Sequence, residues 1–303
     1  MLHIIHSDEY ENWVFDASHP TQGRRFVNGY NEIFRIARLE AVPVSVYLPY
    51  DADVEDLLLV HSEDYVNDVI GLGVSDEWEG QRADLGELAQ LFVGGTLTAL
   101  SLLLSKKASL VVHLPGAKHH AQYDRSSGFC VFNDFAIAAK IASGEHGAKV
   151  AILDIDAHHG DGVENLTKGD LNILTFSIHE YGIFPGTGNS SVEGDYYNFP
   201  LKKYDGDEQL IAGVYTFISM LENNRVENNW IPDYLFITCG ADGHLEDPLT
   251  NLEYSVEGYV KVARIIRDTF PDLPILMGGA GGYLPDTRTP EIWAKFAVEL
   301  ARV

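Results

Sequence analysis

The chain reads as an α/β protein, a single domain over residues 1–303 with a mostly parallel central sheet and helices on both faces. Three observations predict this. Short apolar runs of strand length alternate with longer stretches of helical spacing along the whole sequence. Neither a low-complexity linker nor an internal repeat divides them. Dense clusters of polar residues follow the apolar runs, where open α/β sheets carry their ligand sites.

Taken in order, residues 2–5 read as a first strand and residues 16–23 as a polar loop. Residues 24–39 have helical spacing, with Phe26, Tyr30, Ile33, Phe34 and Ala37 on one face. Residues 44–48 form a second strand, and residues 54–60 and 62–70 two short helices around His61. Residues 71–86 are irregular and acidic, with Asp76, Glu77, Glu79 and Asp84 around Trp78. They read as a solvated loop or, less economically, as a binding rim. A long apolar helix over 85–104 precedes a strand at 109–113. Residues 134–142 are helical, opened by Asn133 or Asp134 as cap. Strands follow at 150–153, 171–178, 234–238 and 274–277. Helices follow at 207–222, 253–269 and 290–301, the last with Pro at its start.

Composition narrows the function. With 46% hydrophobic and 22% charged residues, the chain is long enough to bury a substantial core. Twenty-one Lys and Arg against forty-five Asp and Glu give a net charge of −24. That argues against a nucleic-acid partner, which needs a basic patch. It suits cationic partners such as lysine-rich tails or polyamines, or simply solubility. Two cysteines imply no disulfide framework. The first residues lack a signal-peptide pattern and no segment reads as a membrane span, so a cytoplasmic enzyme without a membrane partner is expected.

The sequence is organised around residues 149–162. A buried-strand run ends in Asp154, Asp156 and His158, which share one face because strand side chains alternate. Carboxylates at a buried strand end are costly unless a cation meets them, so the pattern reads as a metal site rather than as helix capping. Four further segments are rich in chemistry. Residues 113–134 carry the paired imidazoles His119 and His120. Residues 177–188 end in a Phe184-Pro185-Gly186 turn. Residues 239–250 supply Asp242, and residues 277–283 present Tyr283 after a glycine run. That run lacks the Lys-Ser/Thr ending of a phosphate cradle. One combination uses all five segments. Asp156, His158 and Asp242 hold a divalent metal with open positions for water and substrate, as hydrolytic zinc sites require. His119 and His120 are acid/base candidates, Asp154 and Asp161 candidates to orient them, and Tyr283 a hydrogen-bond donor to an oxyanion.

These motifs resemble the zinc-dependent histone deacetylase superfamily, which includes the acetylpolyamine amidohydrolases. The matching segments are HHA at 119–121, GFCVFND at 128–134, LDIDAHHGDG at 153–162, SIH and FPGTG within 177–188, CGAD and DPL within 239–249, and GGAGGY at 278–283. Weaker matches lie around Arg24-Arg25 and at HSEDY, 61–65. The resemblance implies an arginase-like α/β fold and hydrolysis of an acetylated amine, an acetyl-lysine or an acetylpolyamine. It implies one Zn2+ ion, or Fe2+, on Asp156, His158 and Asp242. Asp154 would stand behind His119, and Asp161 behind His120, the expected general base. Gly128, Phe129, Phe184, Leu249 and Gly281 would form the acyl tunnel. A structural K+ or Na+ ion would sit at Asp154, Asp156, His158, Ser177 and Ile178.

Ala117 and Lys118 depart from the family pattern before the histidine pair, and Ala280 interrupts the glycine run. The acidic rim residue that grips substrate in many members has Asp84 and the acids of 76–79 as its candidates. A non-catalytic acyl-lysine binder would have lost a ligand or Tyr283, and neither is missing. A two-metal arginase-like hydrolase would need further bridging carboxylates.

Overall fold

The computed structural model describes residues 1–15, 18–77, 81–190 and 196–302. Eight parallel strands form one sheet: β1 (Leu2–Ile5), β2 (Val44–Tyr47), β3 (Leu110–His113), β4 (Val150–Asp154), β5 (Ile173–Glu180), β6 (Tyr196–Leu201), β7 (Tyr234–Thr238) and β8 (Ile275–Gly278). Their spatial order is β2-β1-β3-β8-β7-β4-β5-β6. The expected α/β architecture is therefore present. The helices are α1 (Arg24–Leu39), α2 (Val54–Leu57), α3 (Glu63–Asn67), α4 (Leu85–Leu104), α5 (Asp134–His146), α6 (Asp161–Thr167), α7 (Asp207–Asn228), α8 (Val256–Thr269) and α9 (Arg288–Ala301).

Parallel strands covered on both faces read as unbroken apolar runs. Accordingly β3, β4 and β8 are buried at every position. Edge strand β6 was not expected from the sequence. It is only half-buried and contains Pro200, whose missing N–H a central strand would not tolerate. Helix α6 was likewise hidden inside the polar cluster that opens it.

The membrane expectation needs correction. Helix α4 is long and apolar enough to cross a bilayer by length and composition. It is apolar around most of its circumference because the fold buries it, with Phe92, Val93, Ala99 and Leu103 in the core.

Strand register decides where the chemistry gathers. Asp154 lies beside both Ser177 and Thr238, and Gly278 beside both His113 and Thr238. The loops leaving β3, β4, β5, β7 and β8 therefore depart from the same sheet edge. Trp293 of α9, fully buried and stacked 6.0 Å from Phe26, ties two of them together. Its indole N–H is shared between the carbonyls of Cys239, at 2.9 Å, and Gly279, at 3.0 Å. Removing that side chain would cost about 3–5 kcal/mol in cavity and transfer terms and would unfasten both loops.

Candidate active site

Beyond β4 the backbone turns on its own carboxylates. Asp154 Oδ1 accepts from the Asp156 N–H at 2.9 Å, and Asp156 Oδ1 accepts from the His158 N–H at 2.9 Å. These local bonds aim Asp156 and His158 at the same point. Asp242 arrives from the β7 loop, and its Oδ1 accepts from the Ala157 N–H at 3.0 Å. His158 Nδ1 lies 2.9 Å from Asp242 Oδ2 and 3.2 Å from Asp156 Oδ1. One ligand atom from each of Asp156, His158 and Asp242 falls within 4.8 Å of the others, and all three residues are buried. Burial raises the Asp242 carboxyl to about 6, helped by the Asp156 charge. Burial opposes a charged His158, but hydrogen bonds to Asp156 and Asp242 outweigh it and hold the imidazole well above its ordinary pKa. Two buried carboxylates thus demand a positive charge between them, which a proton on His158 or a divalent ion satisfies. The donor set, two carboxylates and an imidazole, fits a catalytic divalent metal.

His119 and His120 follow a backbone turn with Ala117 in the left-handed region, at φ 64°. Asp134 anchors that turn, accepting from Ala117 N at 3.0 Å and Lys118 N at 2.7 Å. The cap of α5 is Asn133, not Asp134. The two imidazoles have ring centroids 4.0 Å apart and are both buried. His119 Nδ1 pairs with Asp154 Oδ2 at 2.7 Å, and His120 Nδ1 with Asp161 Oδ1 at 2.8 Å. Gln122 fixes the other Asp161 oxygen at 2.7 Å. Their protonation diverges. Burial disfavours the His119 cation, but Asp154 and Asp156 overcome it and lift the pKa to about 9. Burial lowers His120 to about 4, with the His119 charge adding to it. One ring is a cation and its neighbour a neutral acceptor, the separation that acid/base chemistry needs.

A cavity of about 360 Å3 opens above them, lined by Glu77, His120, Gly128, Phe129, His158, Phe184, Leu249 and Tyr283. The Phe184 ring stands edge-on to His120 at 5.0 Å, and Phe129 edge-on to Tyr283 at 6.0 Å. Gly128 has φ 54°, and a Cβ there would drive into the His120 ring, so only glycine serves. Gly281 does not line this cavity. It lies beneath, its N–H donating to Asp156 Oδ2 at 2.8 Å, because a side chain there would strike the Asp242 carboxylate. Tyr283 lines the cavity wall, and burial together with Asp242 and Asp156 keeps its phenol protonated.

Of the residues expected at the monovalent cation, Asp154 and Ser177 border an interior cavity of about 10 Å3. The Lys118 ammonium lies 5.1 Å from the Phe92 ring centroid and 5.4 Å from that of Phe26. Burial, then Arg25, lowers it to about 8. Asp84 is clamped by Arg82 at 2.7 Å at the start of α4, away from the cavity lining. Of the other rim candidates Asp76 is exposed and Glu77 lines the cavity, while Trp78 and Glu79 lie outside the described residues.

Sequence reasoning assigned no role to three supports. Buried Arg25 donates to the Gly282 carbonyl at 2.8 Å, just before Tyr283. Asp247 accepts from the Tyr283 N–H at 2.9 Å. His61 bridges the Gln122 carbonyl and the Asn133 N–H, at 2.8 and 2.9 Å. Each contact spans tens to hundreds of residues, which no local pattern announces. The Arg24-Arg25 pair and the Asp247-Pro248 dipeptide were the available signals.

Comparison with known proteins agrees with this geometry. A family model described as "Histone deacetylase domain" matches residues 19–300. "Acetoin utilization protein AcuC" of Bacillus subtilis is 32% identical over 321 residues, covering 98% of this chain and 81% of its own. The protein of the same name in Staphylococcus aureus (strain MRSA252) is 31% identical over 320 residues, covering 98% of this chain and 80% of its own. A "Probable deacetylase" of Archaeoglobus fulgidus is 30% identical over 274 residues, covering 86% of this chain and 74% of its own.

Proposed function

The chain belongs to the histone deacetylase family and is a deacetylase, and from that premise we propose that it hydrolyses the acetyl amide of an acetylated lysine side chain. The observation that carries this is the buried Asp156–His158–Asp242 group beside His120 and Tyr283, under an aromatic-walled cavity. Asp156, His158 and Asp242 would hold the ion, Zn2+ before Fe2+. Bound there, it would polarise the amide carbonyl and make water more acidic.

The side chains have separable tasks. Phe129, Phe184 and Leu249 pack along the apolar stem and exclude water from it. His120, with Nδ1 held by Asp161, takes the proton from the attacking water at Nε2 and passes it to the leaving amine. His119 stays protonated against Asp154, its positive charge favouring the oxyanion as it develops. The Tyr283 hydroxyl donates a hydrogen bond to the same oxygen. The Arg25 and Asp247 contacts hold the Gly282-Tyr283 backbone for that purpose.

An acetylpolyamine or another small acylated amine is the second reading, which the acidic balance of the chain suits as well as it suits a lysine-rich tail. Two relatives carry acetoin utilization in their names, and that is the cellular setting we propose, in the cytoplasm. The test is a turnover screen of metal-reconstituted protein against acetyl-lysine peptides, acetylpolyamines and longer acyl analogues. Cleavage of the peptides with the highest kcat/KM supports the first reading. Cleavage of none would overturn both.

A further inference from the structure

Phe184 stands edge-on to both His120 and His158, at 5.0 and 6.3 Å between ring centroids. The turn that carries it, residues 181–188, is exposed at most positions, and none of its side chains joins the hydrophobic core. Something other than packing therefore sets where this wall of the tunnel stands. Two buried imidazoles with no part in the proton transfers lie against the turn. His159 Nδ1 is 2.8 Å from Thr187 Oγ1, and His179 Nε2 donates to the Gly188 carbonyl at 3.0 Å. The two ring centroids are 4.7 Å apart, and a Cβ on Gly188 would come within 2.7 Å of both rings. Each ring is also held from behind. His159 Nε2 is 3.0 Å from Glu164 Oε2, an oxygen that also accepts from Asn198 Nδ2 at 2.9 Å. His179 Nδ1 is 2.9 Å from Ser177 Oγ. Burial, then His159, lowers the His179 pKa to about 3, so that ring is neutral and accepts from the Ser177 hydroxyl. Apolar side chains would fill this space at a lower desolvation cost. What two anchored rings add is direction, since hydrogen bonds fix an exposed turn that packing does not reach.

We infer that His159 and His179 are positioning residues: by holding Thr187 and Gly188 they fix Phe184, and with it the bore of the tunnel around the apolar stem. The inference rests on the acetyl-lysine reading for the identity of that stem. Phe184 touches the stem in the bound substrate and in the transition state alike. A displaced wall therefore raises KM and leaves kcat nearly unchanged.

The test uses Thr187→Val, which keeps the shape and removes the hydroxyl that His159 meets, with Thr187→Ser as its rescue and His179→Leu as the break at Gly188. Two probes are titrated into zinc-loaded protein by calorimetry. Acetohydroxamate is a metal-binding head without a stem, and octanohydroxamate is the same head on an apolar stem. Thr187→Val and His179→Leu should each weaken octanohydroxamate by about fivefold and acetohydroxamate by less than about twofold, and Thr187→Ser should restore wild-type binding. For an acetyl-lysine peptide, KM should rise by a similar factor with kcat within about twofold. Should His179→Leu not fold, Thr187→Val and its rescue decide alone. Equal weakening of both probes, a fall in kcat without a rise in KM, or no change at all overturns the inference and leaves the two rings as supports of the fold. Stem-selective weakening in a protein that cleaves no acetyl-lysine peptide sustains the inference and removes the acetyl-lysine reading. Octanohydroxamate that binds the wild type no tighter than acetohydroxamate overturns the inference even where acetyl-lysine is cleaved.

Discussion

His158 Nδ1 and Asp242 Oδ2 lie 2.9 Å apart across 84 residues of chain, brought together because β4 and β7 are hydrogen-bonded neighbours whose ends coincide. An imidazole between two buried carboxylates holds a proton tightly, and a divalent ion bound to Nδ1 has to displace it. Metal loading is therefore expected to release protons, seen as a buffer-dependent heat in titration calorimetry. Asp242→Asn and His158→Ala should each weaken metal binding by at least about tenfold, since even outer supports of metal sites cost that much. Stoichiometric metal in both purified variants would disprove the ligand assignment.

The histidine pair makes a kinetic prediction. His120→Ala should lower kcat by about 10²–10⁴ with metal content unchanged, the range for losing a positioned acid/base group. The pH–rate profile follows from which state each ring must hold. His120 acts neutral, so the rate should fall as pH drops through about 4. His119 acts protonated, so the rate should fall as pH rises through about 9. An alkaline limb that persists unchanged in His119→Asn would take His119 out of the profile.

Tyr283→Phe keeps the ring packed against Phe129 and removes only the hydroxyl. Turnover should fall about 10²–10³-fold with bound metal and thermal midpoint preserved, as when one oxyanion donor is lost. Unchanged turnover would exclude the phenol from the reaction.

How much of this was legible depended on how local the cause was. Asp154 ends β4, and Asp156 and His158 lie beyond it, so strand alternation is not what gathers them: the turn of the backbone onto the Asp154 and Asp156 carboxylates is. Asp242 and Tyr283 each follow a strand, and the parallel sheet places such loops at one edge. Gly281 lines the small cavity that adjoins the tunnel at Gly128, Phe129 and Tyr283, a place that a glycine beside Tyr283 does not announce until the Asp242 carboxylate is seen against it. Only the packed rings of Phe26 and Phe92, far away in sequence, show where the Lys118 ammonium lies. Edge strand β6 stayed hidden because its half-buried, proline-containing sequence lacks the apolar run of the inner strands.

His61 ties acid stability to the catalytic loop. Its buried ring lies between the Gln122 carbonyl and the Asn133 N–H, so the fold uses the neutral tautomer that donates from Nδ1 and accepts at Nε2. Burial lowers its pKa from 6.5 to about 4. The unfolded chain therefore binds a proton at a pH where the folded chain does not. Stability from this group is complete above pH 6.5 and drains as pH falls toward about 4, a total of roughly 3 kcal/mol at 1.4 kcal/mol per tenfold change. At about pH 5 some 2 kcal/mol of it should already be gone. His61→Gln offers a donor and an acceptor without titrating. Its urea midpoint should therefore fall less than that of the wild type between about pH 7.5 and about pH 5. Parallel losses in the two proteins would show that acid sensitivity arises at other buried imidazoles, His113 and His179 foremost, both held near 3.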